Sequence, residues 1–408
     1  MNTHAARSWI VILIASIATS SAYVLLEEPT DPDAECCDHL FYRAQSVAWL
    51  GLDEPEALTI PAGNRLEQVY DEYYYDRANG LTSQPPYVYR VGVPALAGVV
   101  GRFTNIDRAY RILHLGILFL IAFLSGYSVL FLTDGALVPA VTAVGAVLAV
   151  PQMARSFADN YMTVDPASVM ILTLVLLLTV RSKFLAASLV SALIAPLIKE
   201  TLIPLAFSVA LAAWLSQQPR RIYWGLAVMP LVIQAVLRIA VPVADRPMFS
   251  ELFVLNDPYF GLFGFVTAFA PVVFLLLGMS CREMRLWSAA FLPLAVGLWV
   301  ITTSAIADSA RIWLTFWPVL LILGLAGLWR LARPIWLKYS WAALLITSAG
   351  VATLSQVKPE VVPLRWLAML LPMVACGFLM LHSVYWAADS GQQRSGSPTP
   401  SRRGALVD

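Results

Sequence analysis

Charge is scarce in this chain. Asp, Glu, Lys and Arg make up 13% of its 408 residues, against about 25% in a typical soluble domain. Together with a hydrophobic content of 59%, that deficit excludes a soluble globular fold. Cysteine and histidine are also rare, with four of each. Cys36, Cys37, Cys281 and Cys376 have no metal-ligand spacing with His4, His39, His114 or His382, which argues against a zinc site. The adjacent pair Cys36-Cys37 reads as two separate thiols in preference to a strained vicinal disulfide. The net charge is +1, and no Lys/Arg cluster lies outside the C-terminal tail, so nucleic acid is not an expected partner. The sequence contains no phosphate-binding glycine loop, no HExxH and no nucleophile elbow. No fixed-period repeat and no coiled-coil seam is visible.

What the chain does have is apolar length. Runs of about 17–25 apolar residues, enough to cross a bilayer, recur from end to end. The first covers residues 9–26 behind Arg7. Ser20 and Ala22 give it the cleavage spacing of a signal peptide, but the many runs that follow favour a retained anchor. The later runs fall at 108–132, 136–153, 164–180, 184–198, 201–216, 222–241, 262–280, 286–306, 311–329, 340–355 and 366–387. The expected architecture is therefore an all-α polytopic membrane protein with about 12 transmembrane helices, or 11–13. Residues 184–198 and 201–216 are short and flank Lys199-Glu200, as two tilted helices or one re-entrant pair. Residues 1–388 form a single membrane domain in this reading. Residues 389–408, rich in Ser, Gly, Pro and Arg, read as a disordered cytoplasmic tail.

One large polar insertion interrupts the apolar pattern, at 27–107 after the first run. It holds Asp31, Asp33, Glu35, Asp38, Asp71, Glu72, Asp76 and the run Tyr73-Tyr74-Tyr75. Charge bias sets its side. With the N-terminus inside, the short inner connections carry Arg181, Lys183, Arg220, Arg221, Arg282, Arg285, Arg330, Arg333 and Lys338. The short outer connections carry Arg155, Lys199, Arg246, Arg311, Lys358 and Arg365. Both termini are then cytoplasmic and the acidic loop extracytoplasmic. Residues 87–102, apolar but broken by Arg90 and Pro94, are expected as a helix lying in the outer interface.

On that topology the ionisable residues sort to one face. Asp38, Asp159, Asp165, Lys199, Glu200, Asp245, Arg246, Asp308 and Arg311 fall at outer span ends or in outer loops. Charges near membrane depth are costly and are functional candidates by default. Asp38 opens an expected helix, 38–51, with Tyr42, Gln45 and Trp49 on its face. An N-cap role explains Asp38 equally well. Asp165-Pro166 has the form of a helix start, with Asp as N-cap and Pro at the first position. Asp308 and Arg311 are spaced to pair on one helix, and Lys199 and Glu200 to neutralise each other. Arg108 and Arg111 at the start of the second span suit a lipid phosphate, or plain snorkelling.

The ordered set of these features resembles the GT-C superfamily of membrane glycosyltransferases. The likeness rests on Asp38-His39-Leu40-Phe41-Tyr42-Arg43-Ala44 early in the outer loop and on the segment Pro86–Pro94 before the second span. Asp165-Pro166, Lys199-Glu200-Thr201 and Asp308-Ser309-Ala310-Arg311 continue it, over about residues 27–330. The chain departs from many members in having His39 after Asp38 where a second acidic residue is common, and Asp31-Pro32-Asp33 offers the alternative spacing for the base. The resemblance implies transfer of a sugar from a polyprenyl-phosphate-linked donor to a glycan, lipid or protein acceptor. The reaction would lie at the outer face of a bacterial cytoplasmic membrane. It implies Asp38 as catalytic base. Tyr42, Arg90, Arg111, Asp165, Lys199, Glu200, Asp308 and Arg311 would bind substrate. No metal ligand is assigned, although a divalent metal is compatible with the family. Two rival classes stand beside it: a multi-pass transporter or lipid flippase, and a non-catalytic envelope assembly protein on the same scaffold. The absence of a repeat, and ionisable residues at one face instead of the midplane, favour the enzyme over the transporter.

Overall fold

The computed structural model describes residues 3–26, 42, 45–46, 75–76, 81–82, 90–158, 163–218, 220–240, 258–269, 272–303, 309–331 and 335–357. Asp31, Asp33, Asp38, Asp159, Asp245, Arg246, Asp308, most of the polar insertion, the expected run at 366–387 and the tail 389–408 lie outside them. The described elements are helices with one exception. Tyr75–Asp76 (β1) and Leu81–Thr82 (β2) form an antiparallel pair in the register Tyr75 to Thr82. The polar insertion was expected to be a loop with amphipathic interfacial helices, and this strand pair was not expected.

The helices are α1 (Thr3–Leu26), α2 (Gly92–Gly101), α3 (Ile106–Leu132), α4 (Leu137–Leu148), α5 (Pro151–Ala158), α6 (Asp165–Val180), α7 (Phe184–Ile198) and α8 (Glu200–Leu215). They continue with α9 (Arg221–Ala240), α10 (Pro258–Phe269), α11 (Leu275–Met279), α12 (Arg285–Ala290), α13 (Leu292–Thr302), α14 (Ala310–Leu331) and α15 (Ile335–Val357). Four stretches among the described residues are long and apolar enough to cross a membrane: Arg108–Leu132, Arg221–Ala240, Ala310–Leu331 and Ile335–Ala352. By length and composition this is a membrane protein. The other apolar helices are shorter, and proline accounts for several breaks. The expected run 136–153 ends α4 before Pro151, which opens α5. The run 286–306 breaks at Phe291, ahead of Pro293 in the first turn of α13. Proline lacks an N–H, so it suits a helix start and disrupts an interior.

The core is built around α14, which is buried continuously from Trp317 to Leu328. It crosses α11 closely enough that a Cβ at Gly324 would meet the Leu275 carbonyl oxygen at 2.6 Å. A Cβ at Gly278 would collide with the Gly324 carbonyl oxygen. Small residues permit backbone-to-backbone packing of this kind where no water drives helices together. Trp317, 1% exposed, donates its indole N–H to the Val147 carbonyl at 2.9 Å, which ties α14 to α4. By contrast α9 turns Val232, Val236 and Ile239 outward.

Helices α3, α6 and α14 run in one direction. At their C-terminal ends Arg181 Nη1 donates to the Tyr127 hydroxyl at 2.6 Å, and the same guanidinium lies over the Tyr127 ring. Arg330 donates to the Leu132 carbonyl at 2.7 Å and to Asp134 at 2.9 Å. Trp9 of α1 packs on Tyr127 with ring centroids 4.1 Å apart. The N-terminal half of α1 therefore sits at this end, and α1 runs opposite to α3. The other end of α3, α6 and α14 carries the polar cluster described next.

Candidate functional site

Asp165 is the centre of the cluster. It occupies the first turn of α6 and is 1% exposed. The sequence suggested that it caps its own helix, but Val164 holds the N-cap position and has no side-chain cap bond. The Asp165 carboxylate instead accepts from Lys199 Nζ on one oxygen and from Arg311 Nε on the other. Thr163 Oγ1 donates to the second oxygen at 3.2 Å, and Arg311 Nη2 reaches Thr163 Oγ1 at 3.5 Å. His114 Nε2 lies 3.2 Å from the Thr163 carbonyl oxygen, which places α3 beside the same turn.

Lys199 arrives at a helix break. Helix α7 passes through a wide turn at Val190–Ile194 and then Pro196, and it stops at Lys199, whose backbone is extended (φ −159°, ψ 137°). Helix α8 restarts at once with a tight turn, Glu200–Leu202. The two helices form a hairpin with a one-residue link, and its tip carries the charges inward. Lys199 is 3% exposed and Thr201 is 1% exposed. On the neighbouring α9, Gln234 donates to the Pro196 carbonyl and accepts from Arg238. The end of α7 at Ile198 leaves its last carbonyls without intrahelical partners, and a side-chain amide satisfies this one.

Glu200 faces the other way. Arg90, just before α2, grips it with a fork: Nε donates to Oε2 at 2.8 Å and Nη2 to Oε1. Arg90 Nη1 donates to the Tyr42 hydroxyl at 2.9 Å. Tyr42, fully buried, is held again at its backbone, where its carbonyl accepts from the Tyr110 hydroxyl at 3.0 Å and from Ser46 Oγ at 2.8 Å.

One expectation is thereby corrected. Lys199 and Glu200 do not pair with each other, because Lys199 pairs with Asp165 and Glu200 with Arg90. Arg311 pairs with Asp165 across the fold, and the expected pairing with Asp308 falls on a residue outside the described ones. Local spacing fails at Lys199-Glu200 because the hairpin tip presents its charges to other helices, and burial forces charges to find partners of good geometry.

Of the residues singled out in the sequence, Tyr42, Arg90, Asp165, Lys199, Glu200 and Arg311 come together. Arg111 is exposed in the first turns of α3. Asp38, the expected base, lies outside the described residues. Ser46, Tyr110, Thr163 and His114 join the cluster without having been expected. Gln234 and Arg238, buried on α9, were also unexpected. Their i, i+4 spacing in an otherwise apolar helix was a readable signal.

The chemistry of the cluster follows from which groups are committed. Both oxygens of Asp165 and both of Glu200 are engaged by cations. These carboxylates orient cations and are poorly placed to take a proton from a substrate. The described part of the cluster sets three cations, Arg90, Lys199 and Arg311, against those two carboxylates. Arg311 is its most open member, with a side chain 23% exposed against 2–12% for Arg90, Asp165, Lys199 and Glu200. Among the described residues no group of three or more His, Cys, Asp and Glu is placed to hold a metal ion. No family model, curated protein or solved structure matches the chain.

Proposed function

We propose that this protein is a membrane glycosyltransferase that moves a sugar from a polyprenyl-phosphate or polyprenyl-diphosphate donor to a glycan, lipid or protein acceptor. About 12 spans would carry it in the bacterial cytoplasmic membrane, with both termini cytoplasmic and the site at the outer face. The observation that carries the reading is the delivery of Lys199 and Arg311, far apart in sequence, onto one buried carboxylate at one end of the bundle.

That arrangement suits an anionic leaving group. A lipid phosphate gains charge as the anomeric bond breaks, and cations fixed in advance stabilise it without reorganising. Arg311, the most exposed of these cations, brings a guanidinium, whose charge and planar N–H groups suit phosphate, to the edge of the cluster. Asp165 holds Arg311 and Lys199 in place. Helices α6, α7 and α8, which end at the cluster, rise only about 22–24 Å at about 1.5 Å per residue. A hydrocarbon core is about 30 Å thick. With the opposite ends of these helices at the inner interface, the proposed site would lie a few ångströms below the outer one, at a depth that a lipid-linked phosphate reaches from the side. Asp38, four residues before Tyr42 in sequence, remains the proposed base for the acceptor hydroxyl.

The deciding experiment compares wild type, Asp38→Asn and Arg311→Ala in membranes at matched protein levels, with a radiolabelled polyprenyl-phosphate sugar. Transfer by wild type, loss of turnover in the first variant and weakened donor use in the second are expected. Unchanged turnover in Asp38→Asn removes Asp38 as the base, and unchanged donor affinity in Arg311→Ala removes the phosphate role.

One observation favours a second reading, a transporter or flippase. The α7–α8 hairpin is broken at Lys199 beside the wide turn and Pro196, and broken helices with charged tips are a transporter device. Movement of a fluorescent polyprenyl phosphate across proteoliposomes without sugar transfer would select it.

A further inference from the structure

We propose that Arg90 is a positioning residue, a clasp that fixes the turn bearing Tyr42 onto the tip of the α7–α8 hairpin. This rests on the glycosyltransferase reading only for its catalytic consequence, since the clasp itself is a matter of geometry.

Among the described residues, Arg90 joins Tyr42 of the polar insertion to Glu200 at the hairpin tip. All three of its guanidinium nitrogens have protein acceptors, two on Glu200 and one on the Tyr42 hydroxyl. It is 7% exposed. A planar group committed in this way has no rotational freedom left, so it transmits position. From Glu200 one peptide bond leads to Lys199, and Lys199 shares Asp165 with Arg311. The path Tyr42–Arg90–Glu200–Lys199–Asp165–Arg311 thus runs from the polar insertion to the proposed phosphate site through side chains and a single backbone step.

A second observation places Arg90 independently of its hydrogen bonds. Gly92, two residues on, opens α2 against the same tip. A Cβ at Gly92 would lie 2.6 Å from Ile198 Cδ1 and 3.2 Å from the Leu197 carbonyl oxygen. A side chain here would have to push the end of Ile198 aside and crowd the Leu197 carbonyl, so the close approach of α2 to the tip helps place Arg90 beside Glu200. Tyr110 then holds the same turn from α3 through the Tyr42 carbonyl and through Ser46 Oγ at 2.8 Å. The turn is pinned at its ring by one element and at its backbone by another.

The consequence concerns Asp38, four residues before Tyr42 in sequence. A base must come within hydrogen-bond reach of the acceptor hydroxyl, and a misplacement of about 1 Å can cost about 100-fold in rate. Arg90 therefore acts on turnover through the Tyr42 turn, while the donor phosphate meets Arg311.

The test uses the full chain in nanodiscs, with Arg90→Lys as the main variant. Lysine keeps the charge opposite Glu200 but lacks the rigid planar fork that holds both carboxylate oxygens and the phenol in fixed directions. Hydrogen exchange is followed on peptides covering Tyr42–Ser46, with α14 peptides as reference. Sugar transfer is measured as kcat and donor KM. Exchange at Tyr42–Ser46 should rise about tenfold with α14 unchanged. The kcat should fall about 100-fold with donor KM within about twofold. A purely structural role for the charge would leave both readouts near wild type in Arg90→Lys, and that result overturns the clasp. Unchanged exchange overturns it as well. Raised exchange with unchanged kcat, in a preparation that transfers sugar, overturns the positioning role. A wild type that transfers no sugar sinks the glycosyltransferase reading, while raised exchange in Arg90→Lys still upholds the clasp. Should Arg90→Lys fail to fold, Tyr42→Phe removes the same bond from the other side, and the same outcomes apply.

Discussion

Asp165 and Arg311 are 146 positions apart, yet Arg311 Nε donates directly to Asp165 Oδ2 inside the helix bundle. Lys199 occupies the other carboxylate oxygen. One acidic side chain therefore anchors α6, the α7–α8 hairpin and α14 at a common end.

Removing that charge leaves two cations beside each other with their shared counter-ion gone. Asp165→Asn keeps the shape and removes the charge, and should destabilise the protein by about 3–5 kcal/mol. Thermal unfolding in detergent, followed by loss of the monodisperse peak, measures this. A melting temperature equal to that of wild type would show that the ion pairs contribute nothing net.

Sidedness is open to direct measurement. Phe103 is 85% exposed between α2 and α3, at the cluster end. Ser182 is exposed just after α6, at the opposite end. With the native cysteines replaced by serine, Phe103→Cys should react with an impermeant maleimide in intact cells, and Ser182→Cys only after permeabilisation. The reverse pattern would put the cluster in the cytoplasm and end the glycosyl-transfer proposal.

Glycine substitutions separate close packing from mere flexibility. Gly324→Ala pushes a methyl group to 2.6 Å from the Leu275 carbonyl oxygen and 2.8 Å from Leu275 Cβ, and should cost about 1–3 kcal/mol. Gly116→Ala, within α3, meets nothing within 4 Å. It should be neutral or stabilising by up to about 1 kcal/mol. Equal melting temperatures for the two variants would refute the tight α11–α14 crossing.

Cys281 should be a poor nucleophile. Burial, and then the hydrogen bond from its Sγ to Glu283 Oε2 at 2.7 Å, push its thiol up from the ordinary cysteine value. A raised value means less thiolate at neutral pH, with reactivity recovering only as pH rises. In a chain with Cys36, Cys37 and Cys376 replaced by serine, maleimide labelling at about pH 7.5 should be slower than for free glutathione. Labelling as fast as glutathione would contradict the burial.

Much of the site was visible residue by residue and invisible as pairs. Lys199-Glu200 stands out in an apolar stretch, and so does Asp165-Pro166. Their spacing on a helix offers only neighbours three or four positions away. The real partners are Asp165 for Lys199 and Arg90 for Glu200, which no periodicity connects. Ser46 and Tyr110 carried no signal at all, because a serine and a tyrosine near a span end are ordinary interface residues. The short lengths of 184–198 and 201–216 were legible, but not the wide turn at Val190–Ile194. The runs 136–153 and 286–306 each became two helices, since hydropathy registers apolar length and is blind to a break between apolar residues.

From sequence alone come the scarcity of charge, the apolar runs and the sorting of ionisable residues toward span ends, because the bilayer acts on each segment separately through its composition. The tertiary structure decided which charges meet. Burial makes an unpartnered charge far more costly than an exposed one, so pairing is settled by whichever helices the packing brings together. The contacts of Gly278 with Gly324 and of Gly92 with Ile198 belong to that packing, and neighbours along the chain do not determine it.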